Sequence, residues 1–202
     1  QAKAAVVNEA DHFSCTFETE ADYNQWTKVD INGVDGNGQS DVWYDSDWKA
    51  ASFNAGISQA DDEWLISPAF TVTGGKTYTV KVKFYCDYAG KMAFYLGQGT
   101  TAEAMTVEVS PTKEYGGETT HEFTLDVPAA LAAGEWHLGV HCTSDAYTGP
   151  VYLQNIELQG AAAATEADHF FCNFQTEADY NKWTKINVNG TDANGQSDVW
   201  YD

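Results

Sequence analysis

Basic residues are scarce. Ten Lys and Arg stand against thirty Asp and Glu in 202 residues, a formal net charge of −20. Phosphate would be repelled, so nucleic acid is excluded as a partner, and anionic membrane surfaces are disfavoured for the same reason. No apolar run approaches the roughly 20 residues of a membrane-spanning helix. Membrane insertion is therefore not expected. No signal-peptide pattern is visible, as in a mature or trimmed chain. The catalytic patterns GxSxG, P-loop and HExxH are missing. With thirty carboxylates any acid pair could be nominated, so a glycosidase reading has no force. No enzyme activity is expected within the chain. Without a CxxC pair, zinc has no framework.

The four cysteines are Cys15, Cys86, Cys142 and Cys172. Each lies in an apolar alternating run, which reads as a buried free thiol. A Cys86–Cys142 bridge is the alternative.

Apolar content of 43% and aromatic content of 14% are those of a folded domain. The most informative stretch is Trp26 to Trp48, WTKVDINGVDGNGQSDVWYDSDW. Its Asp, Asn and Gly are dense enough to suit a hard cation such as calcium. Ordinary turn chemistry uses the same residues, and the spacing is not that of an EF-hand. The stretch also recurs. Residues Glu9–Asp45 reappear as Glu166–Asp202 at an offset of 166 − 9 = 157, with 28 of 37 positions identical. Cys172 is thus the copy of Cys15, and one 157-residue unit holds three cysteines. That odd number makes no disulfide framework. The domain reading is a leader over 1–8, one binding module over 9–160, an Ala-rich linker over 161–165, and a truncated second copy over 166–202. This last segment is expected to drive self-association with a neighbouring molecule.

Alternation predicts strands at Phe13–Phe17, Lys28–Ile31, Asp41–Asp45, Tyr78–Cys86, Lys91–Gly97, Thr106–Ser110, His121–Val127, Trp136–Cys142 and Val151–Leu158. A helical turn is expected within Thr19–Asn24 and another at Ala129–Ala133. Ser46–Asp62 reads as one long polar loop. The Tyr78–Cys86 and Lys91–Gly97 strands read as a hairpin across Asp87–Gly90. Many short strands without a convincing helix indicate an all-β fold, a jelly-roll β-sandwich.

Five features now stand in order: Phe17-Glu18; Trp26 followed by an Asp-x-Asn-Gly loop; WLISPAF at 64–70; a Gly-Gly turn into a long strand; and a closing VYLQNIEL at 151–158. This pattern resembles the cleaved-adhesin domains, including the gingipain adhesin modules, and the related choice-of-anchor J domains of Bacteroidetes surface proteins. The resemblance implies a calcium-stabilised jelly roll in a secreted or surface-attached protein, used for adhesion or glycan binding. It carries a metal-ligand set onto Glu18, Asp30, Asn32, Asp35 and Asn155. Gln154 stands where the family's closing pair has Asp.

Three tryptophans, Trp26, Trp64 and Trp136, read as core. Trp43, Trp48, Tyr85 and Tyr95 fall on polar faces or loops by alternation. With His137 and His141 they are the candidate ligand surface, since aromatic rings pack on pyranose faces and polar groups bond the hydroxyls. The functional expectation is a non-catalytic extracellular carbohydrate-binding module of a tandem-repeat protein, accessory to a polysaccharide-degrading enzyme. A protein-binding adhesin module is the alternative.

Overall fold

A computed structural model of the chain describes residues 6–33, 42–55 and 59–162. The chain divides into two units, Gln1–Ala163 and Ala164–Asp202. The second unit, with Cys172 and the whole 166–202 repeat, lies outside the described residues. Asp35 and Asp41 lie outside them too.

Two long strands carry the first sheet. In β8 (Lys76–Cys86), Tyr78, Val80, Val82, Phe84 and Cys86 are all buried, while Lys81, Lys83 and Tyr85 face outward. That period of two is what a sheet with one wet face requires. Strand β13 (Gly149–Ala162) runs antiparallel to β8 from Val151 to Ala162. Its other edge takes two partners in succession. Gly149–Leu153 pairs with β5 (Ala50–Ala55) and Ile156–Gln159 pairs with β2 (His12–Cys15). Strand β4 (Val42–Asp45) extends one end, β1 (Val6–Glu9) the other, and β11 (Thr119–Asp126) flanks β8. Among the described residues this sheet has seven strands.

Among the described residues the second sheet repeats the device with six strands. Strand β12 (Gly134–Cys142) pairs along one edge with β9 (Ala89–Gly97). Along the other it meets β7 (Phe70–Val72) and then β6 (Glu63–Ile66). Strand β3 (Thr27–Asp30) lies outside β6, and β10 (Val107–Gly116) outside β9. All pairings are antiparallel. Phe13, Phe53, Phe84, Leu153 and Ile156 of the first sheet meet Leu65, Phe94, Leu138 and Val140 of the second in one core. Each such side chain contributes roughly 1.5–3 kcal/mol on burial. The fold is an all-β jelly-roll sandwich, as the alternation predicted. No helix among the described residues is long and apolar enough to cross a membrane.

Several local expectations hold. Helix α1 (Glu20–Asn24) is capped by Thr19, whose hydroxyl accepts from the Asp22 amide while the Asp22 carboxylate accepts from the Thr19 amide. Trp26 and Trp136 are core residues. Cys15, Cys86 and Cys142 are buried and free, so the bridge alternative does not form. Burial pushes the Cys86 thiol up to about 12.

Others are corrected. The leader is not all a tail: Val6–Glu9 form β1, where Val6 packs against the core. The 46–62 loop contains β5, because Ala50, Ala51 and Phe53 bury their small and aromatic side chains against β13. Strand β13 runs on through Ala162, opposite Lys76, so the first two linker residues belong to the sheet. Ala129–Ala133 is not helical. Strands β8 and β9 are not a hairpin. Each pairs within a different sheet, and Asp87–Tyr88 is the arch that crosses between them. Sequence proximity suggested pairing, but β8 pairs with β11 and β13 in the first sheet while β9 pairs with β10 and β12 in the second.

Candidate aromatic site on the outer face of the first sheet

In the first sheet, Trp43, Ser52, Tyr152, Tyr85 and Thr120 stand opposite one another across β4, β5, β13, β8 and β11. Their neighbours in each strand, Val42, Phe53, Val151 and Cys86, point into the core, so this row faces out. Neighbouring strands lie about 4.8 Å apart, which sets Trp43 and Tyr85 roughly 14 Å apart at their backbones.

Trp48 comes from the turn between β4 and β5 and lies over this row. Its ring centroid is 4.6 Å from Tyr152 at 19° and 4.7 Å from Tyr85 at 25°. The two tyrosine rings are 6.3 Å apart. The turn is built locally. Asp45 Oδ1 accepts from the backbone amides of Asp47 and Trp48, each at 2.9 Å. Lys49 closes the turn with φ +46°, in the left-handed region, and its Nζ bonds Glu18 at 2.8 Å. Trp48 remains 39% exposed. Trp48 thus stacks on both tyrosines and still meets solvent. Burial pushes the Tyr152 phenol up, and the nearby Asp45 and Asp87 carboxylates add to the rise. The site therefore combines a flat stacked aromatic surface with carboxylate acceptors beside it.

The structure divides the predicted ligand set. Trp43, Trp48 and Tyr85 share this face. Tyr95, His137 and His141 lie on the outer face of the second sheet, across the core, so the six do not form one surface. Alternation finds outward residues but cannot say from which sheet. Trp64 is buried as expected, though not in the main core. It packs with Ile66 and Met105 on the outside of the second sheet, under the 3-10 turn Ala102–Ala104. His141 stacks on it at 4.1 Å and 9° and pairs with Asp62 at 2.8 Å. Tyr95 also packs on Trp64, and His137 Nδ1 donates to the Ser67 carbonyl at 2.7 Å. His137 and His141 are four apart on a strand, roughly 13 Å along it, and do not converge on a metal. Tyr152 is the functional candidate that sequence reasoning missed. Its signal was the same alternation, between Val151 and Leu153.

The metal set is placed as follows. Glu18 is held by Lys49. Asp30 Oδ1 accepts from the Gly33 amide at 2.6 Å, and the Asn32 amide donates to the Ala60 carbonyl at 2.6 Å. Asn155 Oδ1 is buried without a hydrogen-bond partner. Asp35 lies outside the described residues. Among the described residues no three His, Cys, Asp or Glu gather as a metal cage.

No protein-family model matches the chain, and no curated protein matches it. Solved structures do. The K2 cleaved adhesin domain of Lys-gingipain is 21% identical, with a TM-score of 0.53 over 73% of this chain and 99% of that domain. The K1 cleaved adhesin domain of Lys-gingipain from Porphyromonas gingivalis is 19% identical, with a TM-score of 0.51 over 74% and 98%. The chain has the cleaved-adhesin fold. A more distant likeness, to the CBM36-1 domain of a multidomain xylanase from the hindgut metagenome of Trinervitermes trinervoides, has 14% identity and a TM-score of 0.41 over 68% and 99%. In the cleaved-adhesin fold of this chain, the Trp48 turn joins β4 to β5 and leans onto the two central strands.

Proposed function

We propose that this chain is a non-catalytic, extracellular binding module that holds a neutral glycan on the Trp48–Tyr85–Tyr152 surface. The observation that carries this reading is the three-ring stack, with Trp48 outermost. A pyranose ring laid on Trp48 would bury its CH face against the indole, and Asp45 and Asp87 are placed to accept from its hydroxyls. The net charge of −20 argues against anionic polysaccharides. That same charge favours one second reading, adhesion to a basic protein surface.

Trp48→Ala is expected to weaken binding to a neutral polysaccharide by roughly 30-fold, the effect of truncating a hot-spot aromatic worth about 2 kcal/mol. Affinity electrophoresis against a panel of neutral glycans measures it, with Tyr95→Phe on the opposite sheet as a control that binds as wild type. Equal retention of Trp48→Ala and wild type would remove the site from consideration. Salt separates the two readings. Glycan stacking should hold its affinity from roughly 0.05 to 0.5 M salt, whereas charge-led protein binding should fade.

We also propose calcium as a stabilising ion of the loop that starts at Asp30 and Asn32, with Asp35 in the same loop. Glu18 and Asn155 are the remaining candidates. A ligand that binds only the native state raises the melting temperature by mass action. Calcium should therefore raise the midpoint of a thermal melt above that in chelator. Superimposable melts would dispose of the ion.

A further inference from the structure

Few large apolar side chains stand exposed among the described residues, and two of them, Tyr88 and Tyr147, lie at one end of the sandwich. Tyr88 is on the arch from β8 to β9, and Tyr147 is on the connection from β12 to β13. The two segments are joined: the Tyr88 and Ala89 amides both donate to the Thr148 carbonyl, each at 3.2 Å. Both rings are held as well as exposed. The Tyr88 ring rests on Gly149, where an added Cβ would come within 2.9 Å of Cδ2, yet the residue is 65% exposed. Tyr147 sits at φ +68°, an uncommon backbone for so bulky a residue. Its turn is closed by the Thr148 hydroxyl, which donates to the Asp145 carbonyl at 2.6 Å, and the tyrosine is 72% exposed. Tyrosines presented in this way mark recognition surfaces, because they offer a large contact area and lose little entropy on binding.

Beside them opens a cleft of about 50 Å³ whose polar lining is Lys91, Glu114, Ser144, Asp145 and Thr148. At roughly 10–15 Å³ for each water-sized group, it takes the head of one side chain and not a sugar ring. Among the described residues Lys91 is the lining's one cation, and it is already engaged. Its Nζ lies 2.6 Å from the Asp145 carboxylate. That hydrogen bond pushes the ammonium up, and Glu114, opposite Lys91 across β9 and β10, adds to the rise. Lys91 thus offsets one of the two carboxylates, and the exposed Glu114 remains in excess. Glu118 adds a further exposed carboxylate just beyond the end of β10. The cleft is therefore left negative, in a chain whose net charge is −20.

We propose that this end of the sandwich is a docking surface for an arginine-bearing segment of another protein. A guanidinium entering the cleft meets the Glu114 carboxylate, and its flat face packs against the exposed tyrosine rings at the cleft's edge. Arginine satisfies both demands at once, since its planar head pairs with carboxylates and stacks on aromatic rings. Lysine brings the charge without the plane. This surface rests on the second reading above, adhesion to a basic protein, and shares no ring with the Trp48 surface.

The test titrates the full chain with Gly/Ser peptides that differ only in carrying arginine, lysine or citrulline, the uncharged isostere of arginine. Calorimetry at low salt should show the arginine peptide binding, the lysine peptide weaker and the citrulline peptide not at all. Tyr147→Asn keeps the turn, because Asn tolerates the left-handed backbone. It should weaken the arginine peptide by roughly 5-fold, the loss of one ring under the guanidinium. Glu114→Gln should weaken it too. Glu103→Gln, the same change of charge on the 3-10 turn after β9, should not. Trp48→Ala should bind the peptide as wild type does, and Tyr147→Asn should retain neutral glycan as wild type does, so the two surfaces fail separately. Equal affinity of wild type and Tyr147→Asn for the arginine peptide, or equal losses in the two Glu variants, would reduce the attraction to net charge and remove the docking surface. A wild type that does not prefer arginine to citrulline overturns it as well.

Discussion

Asp11→Ala is expected to lower the unfolding free energy by about 3 kcal/mol, a large share of the stability of a domain this size. Asp11 is 4% exposed and sits in the two-residue connection between β1 and β2, at φ +62°. Asp tolerates that left-handed backbone better than most residues. Its carboxylate gathers four donors: the Thr73 amide at 2.8 Å, the Thr73 hydroxyl at 2.6 Å, Lys76 Nζ at 2.6 Å and the Tyr78 hydroxyl at 2.5 Å. The Asp11 amide also donates to the Thr71 carbonyl, and its carbonyl accepts from Gly160. The side chain therefore ties the first hairpin to Thr73 and to β8, while the backbone of the same residue ties it to β7 and the end of β13. Removing one partner of a buried ion pair is worth about 3–5 kcal/mol. The low end applies here because the Lys76 side chain is 35% exposed and can turn to water. The enclosed Tyr78 hydroxyl cannot.

The pH dependence follows with its sign. Burial alone would push the Asp11 carboxyl up, but hydrogen bonds from Lys76, Thr73 and Tyr78 more than reverse this, and it is held well below the usual carboxylate range. A depressed native value means that the unfolded chain takes up the proton first. The stabilisation is complete above the unfolded carboxylate range, near pH 4, and is lost as pH falls below it. Asp11→Asn should show a shallower loss of stability than wild type between about pH 4 and pH 2. Parallel acid limbs in urea titrations of the two proteins would show that the cluster is not what holds this corner.

That corner was not legible in the sequence, and the reason is general to the fold. Period-two alternation located β8, β12 and β13 because each has one face on the core and one in water. It also turned Trp43 and Tyr85 outward correctly. It carries no information about which strands meet. Asp11 meets its hydroxyl and ammonium donors more than 60 residues away, and nothing local marks it. The split of the aromatic set has the same origin: Tyr85 and Tyr95 are ten residues apart, yet the Asp87–Tyr88 arch sends them to opposite sheets. β5 was missed for a different reason. Ala-Ala-Ser-Phe is weakly strand-forming by composition, and only its place against β13 makes it a strand.

Gly117→Ala is expected to destabilise by about 3 kcal/mol, at the upper end for overpacking. Two arches cross between the sheets at the same end of the sandwich: Asp87–Tyr88 after β8, and Gly117–Glu118 after β10. They rest on one another, with the Glu118 amide donating to the Asp87 carbonyl at 2.8 Å. A Cβ on Gly117 would lie 1.9 Å from the Tyr88 carbonyl oxygen and 2.2 Å from its carbonyl carbon. Those are backbone atoms, so no side-chain rotation relieves the clash and one arch must move. The neighbouring Gly116 is the control. A Cβ there meets nothing within 4 Å, so Gly116→Ala should stay within about 0.5 kcal/mol of wild type in urea denaturation. Equal midpoints for the two variants would mean that the arches do not pack as described. Displacement of the Asp87 arch would also shift Asp87 from beside Tyr152, so Gly117→Ala should bind neutral glycan more weakly even where it remains folded, while Gly116→Ala should not.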